Sequence, residues 1–168
     1  MGIFKKIFNN LRVIGKSMTV HTEMIVDNKV WEKVREHVKN DVSIYMWYVI
    51  TPHNFDIFQP FFRLKMTKEE FEELLIQRYK WMMKNRCNLQ LHIHLSKNMD
   101  NITKNEQRKL ILDSIQWFED NLDWKVYEIV PGWWSYNQDT IDIIEGELGL
   151  SLAKRYEFKE CHDYDWVK

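Results

Sequence analysis

The chain has 168 residues, 45% of them hydrophobic and 29% charged, which is usual for one globular domain. Its 24 basic and 25 acidic residues nearly cancel, which excludes the strongly basic surface of a typical nucleic-acid-binding protein. Two distant cysteines, Cys87 and Cys161, and the lack of a long apolar run or a signal sequence predict a cytoplasmic protein.

The first 16 residues differ from the rest of the chain. Apolar side chains recur at helical spacing from Ile3 to Ile14, and basic residues lie among them with no acidic residue. The pattern predicts an amphipathic helix that either closes one end of the domain or lies on a membrane surface. We favour the first interpretation, because amphipathic helices of globular proteins usually face a core.

From residue 17 to residue 168, predicted strands and helices alternate about every 30 residues. The predicted strands span 18–26, 42–50, 89–95 and 126–130, and the tail 150–168 has room for one or two more. The predicted helices begin at Asp27 or Asn28, at capping boxes that start with Thr67 and Thr103, and at Asn137, and the last one ends at Gly149.

Alternating strands and helices are typical of a parallel sheet with crossover helices. Such a sheet is either an open doubly wound sheet or a barrel, and an eightfold barrel needs about 250 residues. The sequence therefore predicts an α/β fold in which any barrel has fewer than eight strands. Neither a GxGxxG nor a GxxxxGK[ST] motif occurs, so nucleotide binding lacks its main sequence support.

The segment LQLHIHLS, residues 89–96, carries the clearest chemical pattern. Strand side chains alternate between two faces, so His92 and His94 share one face of the predicted strand. Two imidazoles on one face can bind a metal ion if a third ligand joins them. His21 and Glu23 share a face of the first strand, and together these residues supply ligands for zinc or another divalent transition metal.

Two later segments are candidates for substrate contacts and proton transfer. Trp133 and Trp134 follow Pro-Gly after the fourth strand, and their rings either line a pocket for an apolar or sugar-like group or pack into the core. His162 stands beside Asp163 near the end of the chain, where it is either a proton donor or part of an exposed polar tail.

The order of these motifs resembles the polysaccharide deacetylase family of chitin, peptidoglycan and nodulation-factor deacetylases. The resemblance covers about residues 17–168 and is strongest in LQLHIHLS, in PGWWSYNQDTI and in HDYDW. It implies a trimmed, irregular (β/α) barrel with fewer than eight parallel strands. It also implies removal of acetyl groups from sugars with one divalent metal, held in the family by an Asp and two His.

Carried onto this sequence, the resemblance implies a role for each candidate residue. The implied metal ligands are Glu23, His92 and His94, with zinc as the expected ion and cobalt or nickel as alternatives. The implied catalytic residues are His162 as general acid, Asp163 as its orienting partner, and His21. The implied substrate-binding residues are Trp133, Trp134 and Tyr136, and the implied substrate is an acetylated carbohydrate.

The sequence departs from the family pattern at three places. The family has Thr-Phe-Asp-Asp-Gly on its first strand where this chain has Val20–Met24, so the Asp that serves as base has no counterpart. The family's metal histidines are four residues apart, and His92 and His94 are two apart. The Arg that precedes the family's proline-rich loop is also missing.

Two other functions fit the same residues. The chain could be a non-catalytic barrel that binds a carbohydrate or a protein, which the missing base favours. It could also be a metal hydrolase of the amidohydrolase or phosphoesterase type, although the His-x-His pair of those families lies on the first strand. Nucleic acid is not an expected partner, and membrane-surface contact through residues 1–16 is the less favoured alternative for that segment.

Overall fold

The computed structural model describes residues 18–40, 44–155 and 159–168, so the predicted N-terminal helix of residues 1–16 lies outside the described residues. The strands are β1 (Met18–Thr22), β2 (Ile44–Val49), β3 (Leu89–Ile93), β4 (Glu128–Pro131), β5 (Ser151–Leu152) and β6 (Lys159–His162). The helices are α1 (Asn28–Asn40), α2 (Phe55–Phe61), α3 (Lys68–Lys84), α4 (Lys104–Leu122) and α5 (Gln138–Ile141), which continues as a π-helical turn over Asp142–Glu147. Short 3₁₀ turns lie at Pro52–Asn54, Met99–Asn101, Gly132–Trp134 and Asp163–Val167.

The six strands form one parallel sheet in the order β5-β4-β3-β2-β1-β6. Neighbours follow chain order from β1 to β5, and the last strand returns to pair with the first, as in a barrel rather than a doubly wound sheet. Within the described part of the chain β5 and β6 do not pair, so the barrel is open between them. The prediction of a (β/α) barrel with fewer than eight strands is confirmed.

The predicted helix starts are confirmed by their caps. Thr67 and Thr103 each accept a hydrogen bond from the third helical amide, and the glutamate at that position bonds back to the threonine amide. Asn137 caps α5 by accepting from the amide of Thr140, and Gly149, with φ of +65°, follows the π-helical turn. Over the residues that the structure covers, no helix is both long and apolar enough to cross a bilayer.

The two faces of the sheet have different compositions. Alternate strand residues such as Val20, Leu91 and Ile129 are fully buried in one apolar core, which helices cover from outside the barrel. The residues between them, such as His21 and His92, point to the inside of the barrel and are buried as well. The inner face therefore carries most of the polar side chains of the sheet.

The structure differs from the sequence prediction at two places near the candidate site. The first strand ends at Thr22 rather than at residue 26, because the amides of Glu23 and Met24 bond to the Asp163 carboxylate instead of a neighbouring strand. Helix α2 was not predicted, because its sequence contains Pro60 and shows no clear helical stripe. Both differences lie at the carboxyl ends of strands, where the candidate site is found.

Candidate metal centre and cleft

Three predicted metal ligands meet at the carboxyl ends of β1 and β3. Glu23 Oε1 lies 3.0 Å from Nε2 of His92 and 3.2 Å from Nε2 of His94, and the two Nε2 atoms are 3.0 Å apart. All three side chains are buried, and their ligand atoms lie within 4.8 Å of one another. The structure therefore brings the predicted histidine pair and Glu23 to one point.

The tautomer of His92 shows why these three atoms fit a cation. Nδ1 of His92 lies 3.3 Å from the carbonyl oxygen of Val130, which can only accept a hydrogen bond, so the ring proton belongs on Nδ1. Nε2 then presents a lone pair at the point where the Glu23 carboxylate and Nε2 of His94 also meet. A cation at that point can take all three atoms as ligands. Ligands of a tetrahedral zinc ion at about 2.0–2.1 Å are about 3.3 Å apart, close to the observed spacings.

The ring of His94 is fixed by close packing. It meets Phe58 and Trp133 edge to face, at ring-centroid distances of 4.9 Å and 4.4 Å. A Cβ atom on Gly132 would lie 2.3 Å from this ring, so only glycine leaves room for it. The side chain of Asn54 donates to the His94 carbonyl over 2.9 Å, which holds the backbone of the same residue.

The protonation states of the cluster suit metal binding. Burial alone would raise the pKa of Glu23, but the neighbouring His92 and His94 hold that pKa well below its ordinary value. Burial lowers the pKa of His94 to about 4, against the attraction of Glu23. Near neutral pH the site thus contains an ionised carboxylate and a neutral imidazole, the forms that bind a divalent cation.

His162 and Asp163 lie beside this cluster at the end of β6. Nδ1 of His162 is 3.6 Å from Glu23 Oε1, and its ring stacks on Tyr164 with a centroid distance of 5.0 Å. The Asp163 carboxylate accepts from the amides of Glu23 and Met24 at 3.0–3.1 Å. Complete burial raises the pKa of Asp163 to about 8 despite these amides. The contacts of Asp163 thus fix the loop that carries Glu23.

His21 connects the cluster to a carboxylate that the sequence pattern did not identify. Its ring centroid is 4.7 Å from that of His92, and its Nε2 is 3.7 Å from Oε2 of Glu160. Burial lowers the pKa of His21 well below its ordinary value. Oε2 of Glu160 is buried and has no hydrogen-bond partner among the described residues. Glu160 could have been found as a candidate, since it lies two residues before His162 on the same strand face.

A cleft of about 760 Å³, within the usual range for small-molecule sites, is lined by His21, Glu23, His92, Glu160 and His162. Trp133 and Trp134 are among its walls, as predicted, whereas Tyr136 packs against the hydrophobic core. Sequence reasoning missed several of the other lining residues, namely Ile57, Phe58, Pro60, Phe61, Lys97, Arg155, Glu160 and Tyr164.

The loop that carries the two tryptophans is strained. Trp133 and Trp134 both have φ of +54°, a left-handed conformation that is unfavourable for bulky residues. Residues held in such conformations cluster at functional sites, where the surrounding structure fixes them. Here the strain places one ring against His94 and aims the other indole toward Glu160, with 3.4 Å from Trp134 Nε1 to Glu160 Oε1.

The sequence matches no protein-family model and no curated protein. Its structure is similar to the Xyl-CE4 domain of a multidomain xylanase from the hindgut metagenome of Trinervitermes trinervoides, with TM-score 0.56, 11% identity, and coverage of 77% of this chain and 53% of that one. It is also similar to a CE4 family pseudoenzyme from Bacillus anthracis, with TM-score 0.55, 13% identity, and coverage of 82% and 43%. The peptidoglycan deacetylase PdaC from Bacillus subtilis, as a mutant, gives TM-score 0.50, 14% identity, and coverage of 82% and 56%.

These similarities define the class of fold. The chain has the (β/α) barrel fold of CE4 deacetylases, which confirms the resemblance predicted from the sequence at the level of the fold. It spans about half the length of the structures that it matches. Both an enzyme and a pseudoenzyme share this fold, so the function has to be argued from the site.

Proposed function

We propose that this protein is a metal-dependent hydrolase of the polysaccharide deacetylase type, which removes acyl groups from an N- or O-acetylated carbohydrate. The convergence of Glu23, His92 and His94 on one point of a cleft is the observation that carries the proposal. The similarity to the Xyl-CE4 domain and to a peptidoglycan deacetylase supports the carbohydrate substrate.

Zinc is the ion that these residues fit best, with cobalt and nickel as alternatives. Two histidine nitrogens and one carboxylate oxygen form a common ligand set of catalytic zinc, which leaves a position open for water or substrate. When bound, the ion would act as a Lewis acid toward the acyl carbonyl and would favour ionisation of water. Glu23, His92 and His94 would hold it, and the hydrogen bond from His92 Nδ1 to Val130 would orient one ligand.

His162 is placed to act as the general acid. Its Nδ1 atom is buried, has no hydrogen-bond partner among the described residues, and faces the metal cluster at 3.6 Å from Glu23 Oε1. A proton held on this atom can pass to the leaving amine or alkoxide as the acyl bond breaks. Stacking on Tyr164 fixes the plane of the ring.

Glu160 and His21 can replace the missing aspartate base. The unpartnered Oε2 of Glu160 lies 3.7 Å from His21 Nε2, and the His21 ring lies next to that of His92. A proton released by the attacking water can therefore pass to His21, and the Glu160 carboxylate stabilises the imidazolium that results. Trp133 and Trp134 supply the flat walls on which a sugar ring can stack.

The proposal is tested by measuring metal content and hydrolysis together. Purified protein should contain or take up one equivalent of zinc, cobalt or nickel, measured by mass spectrometry. The loaded protein should release acetate from acetylated chito-oligosaccharides and from small aryl acetates. If the protein holds no metal at neutral pH and binds none on titration, the hydrolase proposal is wrong.

A non-catalytic barrel that binds a carbohydrate or a protein is the second candidate. It is favoured by the missing aspartate base and by the structural similarity to a pseudoenzyme. The amidohydrolase or phosphoesterase alternative is weaker, because the His-x-His pair lies on β3, the third strand, rather than on the first. We also propose a cytoplasmic location, on the basis of the two free and widely separated cysteines.

A further inference from the structure

One wall of the cleft contains the aromatic rings of Phe58 and Phe61 from helix α2. Phe62, in the turn after that helix, packs against both rings but does not itself line the cleft. The ring of Phe58 meets the ligand His94 at a centroid distance of 4.9 Å and stacks on Phe62 at 5.7 Å. Phe62 contacts Phe61 at 4.7 Å and Tyr164 at 5.7 Å. Because Tyr164 stacks on His162, this aromatic wall extends from a metal ligand to the proposed acid.

Other residues that line the cleft are polar. Glu160, Arg155 and His21 are among them, and the Glu160 carboxylate has a buried oxygen without a hydrogen-bond partner in the described part of the chain. The cleft is therefore amphipathic, with apolar and charged residues around the metal cluster. A substrate that matches it carries both an apolar group and a polar group beside its carbonyl.

The exposure of the aromatic wall changes along its length. Phe58, next to the metal cluster, is 2% exposed, whereas Phe61, which also lines the cleft, is 68% exposed and is the most exposed large apolar side chain described. An acetyl methyl group is small enough to be covered by Trp133 beside His94 alone, and would leave the outer part of this wall in water. An elongated apolar group would cover it along its whole length.

We propose that the substrate carries an aliphatic acyl group longer than acetyl, which lies along Phe58 and Phe61 while its polar part faces Glu160. This inference rests on the proposed hydrolase function and replaces the acetyl group expected at the same site with a longer acyl group. Water oxygen forms a bond to the acyl carbon and gives one proton to His21, the acyl C–N or C–O bond breaks, and the leaving amine or alkoxide takes a proton from His162. The products are a carboxylic acid and an amine or alcohol.

The first experiment measures binding, so it does not depend on catalysis. N-acetylglucosamine and N-octanoylglucosamine are titrated into the protein, and Kd is read from the fluorescence of the cleft tryptophans. Each methylene buried against the wall should tighten binding by about two- to fourfold. The second experiment measures kcat/KM of the zinc-loaded protein for the acetate, butyrate, hexanoate and octanoate esters of p-nitrophenol, where the same increase per methylene is expected.

Two matched variants test whether the aromatic wall causes the preference for longer acyl groups. Phe61→Ser removes the exposed end of the wall and should reduce the ratio of octanoyl to acetyl binding, and of octanoate to acetate kcat/KM, by about tenfold. Leu112→Ser removes another exposed apolar side chain, 41% exposed on α4, and should leave both ratios unchanged. Because both positions are exposed, both variants are expected to fold.

The outcomes separate this inference from the proposed function. If acetate is hydrolysed and longer chains give no gain in binding or rate, the long-chain inference is wrong and the hydrolase proposal stands. If binding tightens with chain length but no ester is hydrolysed, the hydrolase proposal is wrong and the acyl-binding wall stands. If binding and kcat/KM still rose with acyl chain length to the same extent in Phe61→Ser, the placement of the acyl group along the aromatic wall would also be wrong.

Discussion

The outer and inner faces of the same sheet make different contacts, although their residues alternate one by one along each strand. On β3, Leu91 points outward into the helix-covered core, and its neighbour His92 points inward to the candidate metal ligands Glu23 and His94. Both are almost fully buried, so burial does not distinguish them. The difference shows that one strand can stabilise the fold and position a candidate site through alternate residues.

The inner face itself differs between its middle and its mouth. In the middle, Tyr48 donates to Glu128 over 2.9 Å, and Gln90 accepts from the amides of Tyr127 and Glu128. At the mouth, His94 and His162 each keep one buried nitrogen without a hydrogen-bond partner among the described residues. Of these two nitrogens, Nδ1 of His162 faces the metal cluster at 3.6 Å from Glu23 Oε1, and since buried polar atoms are normally satisfied, it indicates where a ligand can bind.

The difference between the two faces is tested most directly by truncating two neighbouring side chains of β3. His92→Ala should abolish stoichiometric metal binding and the activity that depends on it, because two ligands remain of three. Leu91→Ala should retain the metal and reduce the free energy of unfolding by about 2–5 kcal/mol, as for a large-to-small change in a core. Metal content by mass spectrometry and urea unfolding measure the two effects.

If both variants gave the same result, the two faces of the sheet would not have separate roles. If His92→Ala kept its metal, the cluster would not be the binding site. If Leu91→Ala lost the metal while still folded, the outer face would control the geometry of the site. His94→Ala and Glu23→Gln should repeat the result of His92→Ala if all three are ligands.

The next largest effect should distinguish a metal ligand from a general acid. His162→Ala should keep its metal and lose about 10²–10⁴-fold in turnover, as expected for removal of a general acid. Glu160→Gln should also keep its metal, and its rate should fall because the amide cannot stabilise a protonated His21. Both variants are assayed for metal content and for kcat on aryl acetates. Loss of metal in His162→Ala would make His162 a fourth ligand instead.

A smaller effect is expected when the close packing around the His94 ring, at the mouth of the barrel, is disturbed. Gly132→Ala should weaken metal affinity by about 10–100-fold, the usual cost of disturbing the support of a ligand, because the added methyl group overlaps the His94 ring. Competition with a zinc-binding dye measures the change.

Gly146→Ala is the matched control. It lies in the π-helical turn after α5, and an added Cβ there has no neighbour within 4 Å. Its affinity for zinc should equal that of the wild type. Equal affinities in both alanine variants would mean that Gly132 does not limit the position of the His94 ring.

The fold was predictable because each element has a local pattern. The capping boxes at Thr67 and Thr103 define helix starts, and the alternation in LQLHIHLS places both histidines on one face. The spacing from His162 could have marked Glu160 as a candidate, but no local pattern assigns a role to Glu160 or to Phe58. Their roles depend on β6 returning to pair with β1 and on α2 packing against His94, which are contacts between distant parts of the chain.

The end of β1 also depends on a contact between distant parts of the chain, which a local sequence pattern does not show. Residues 18–26 all have strand-like composition, and local propensity alone favours one continuous strand. The strand ends at Thr22 because the Asp163 carboxylate, about 140 residues later, accepts from the amides of Glu23 and Met24. This long-range contact fixes the backbone at Glu23, whose side chain meets the two histidines. A sequence pattern predicts the ligand, but not the carboxylate that orients it.

The smallest expected effect is a pH dependence of stability that belongs to the inner face alone. In the metal-free protein, burial lowers the pKa of His94 from 6.5 to about 4 and also lowers that of His21. Between about pH 4 and pH 6.5 these two histidines make the unfolded chain bind more protons than the folded chain. The buried Asp163, whose pKa is raised to about 8, acts in the opposite direction, but it is one group against two. Since stability rises with pH wherever the unfolded state binds more protons, stability should be lost as the pH falls through this window.

Urea unfolding in the presence of a chelator at pH 7 and at pH 5 measures this loss. His94→Asn should show a smaller difference between the two pH values, because one of the titrating groups is gone. Leu91→Ala should be less stable at both values and keep the full difference, because the outer face contributes no titrating group there. If His94→Asn showed the same difference between pH 7 and pH 5 as the wild type, His94 would be protonated as readily in the folded chain as in the unfolded one. Burial would then not hold His94 in its neutral, metal-binding form.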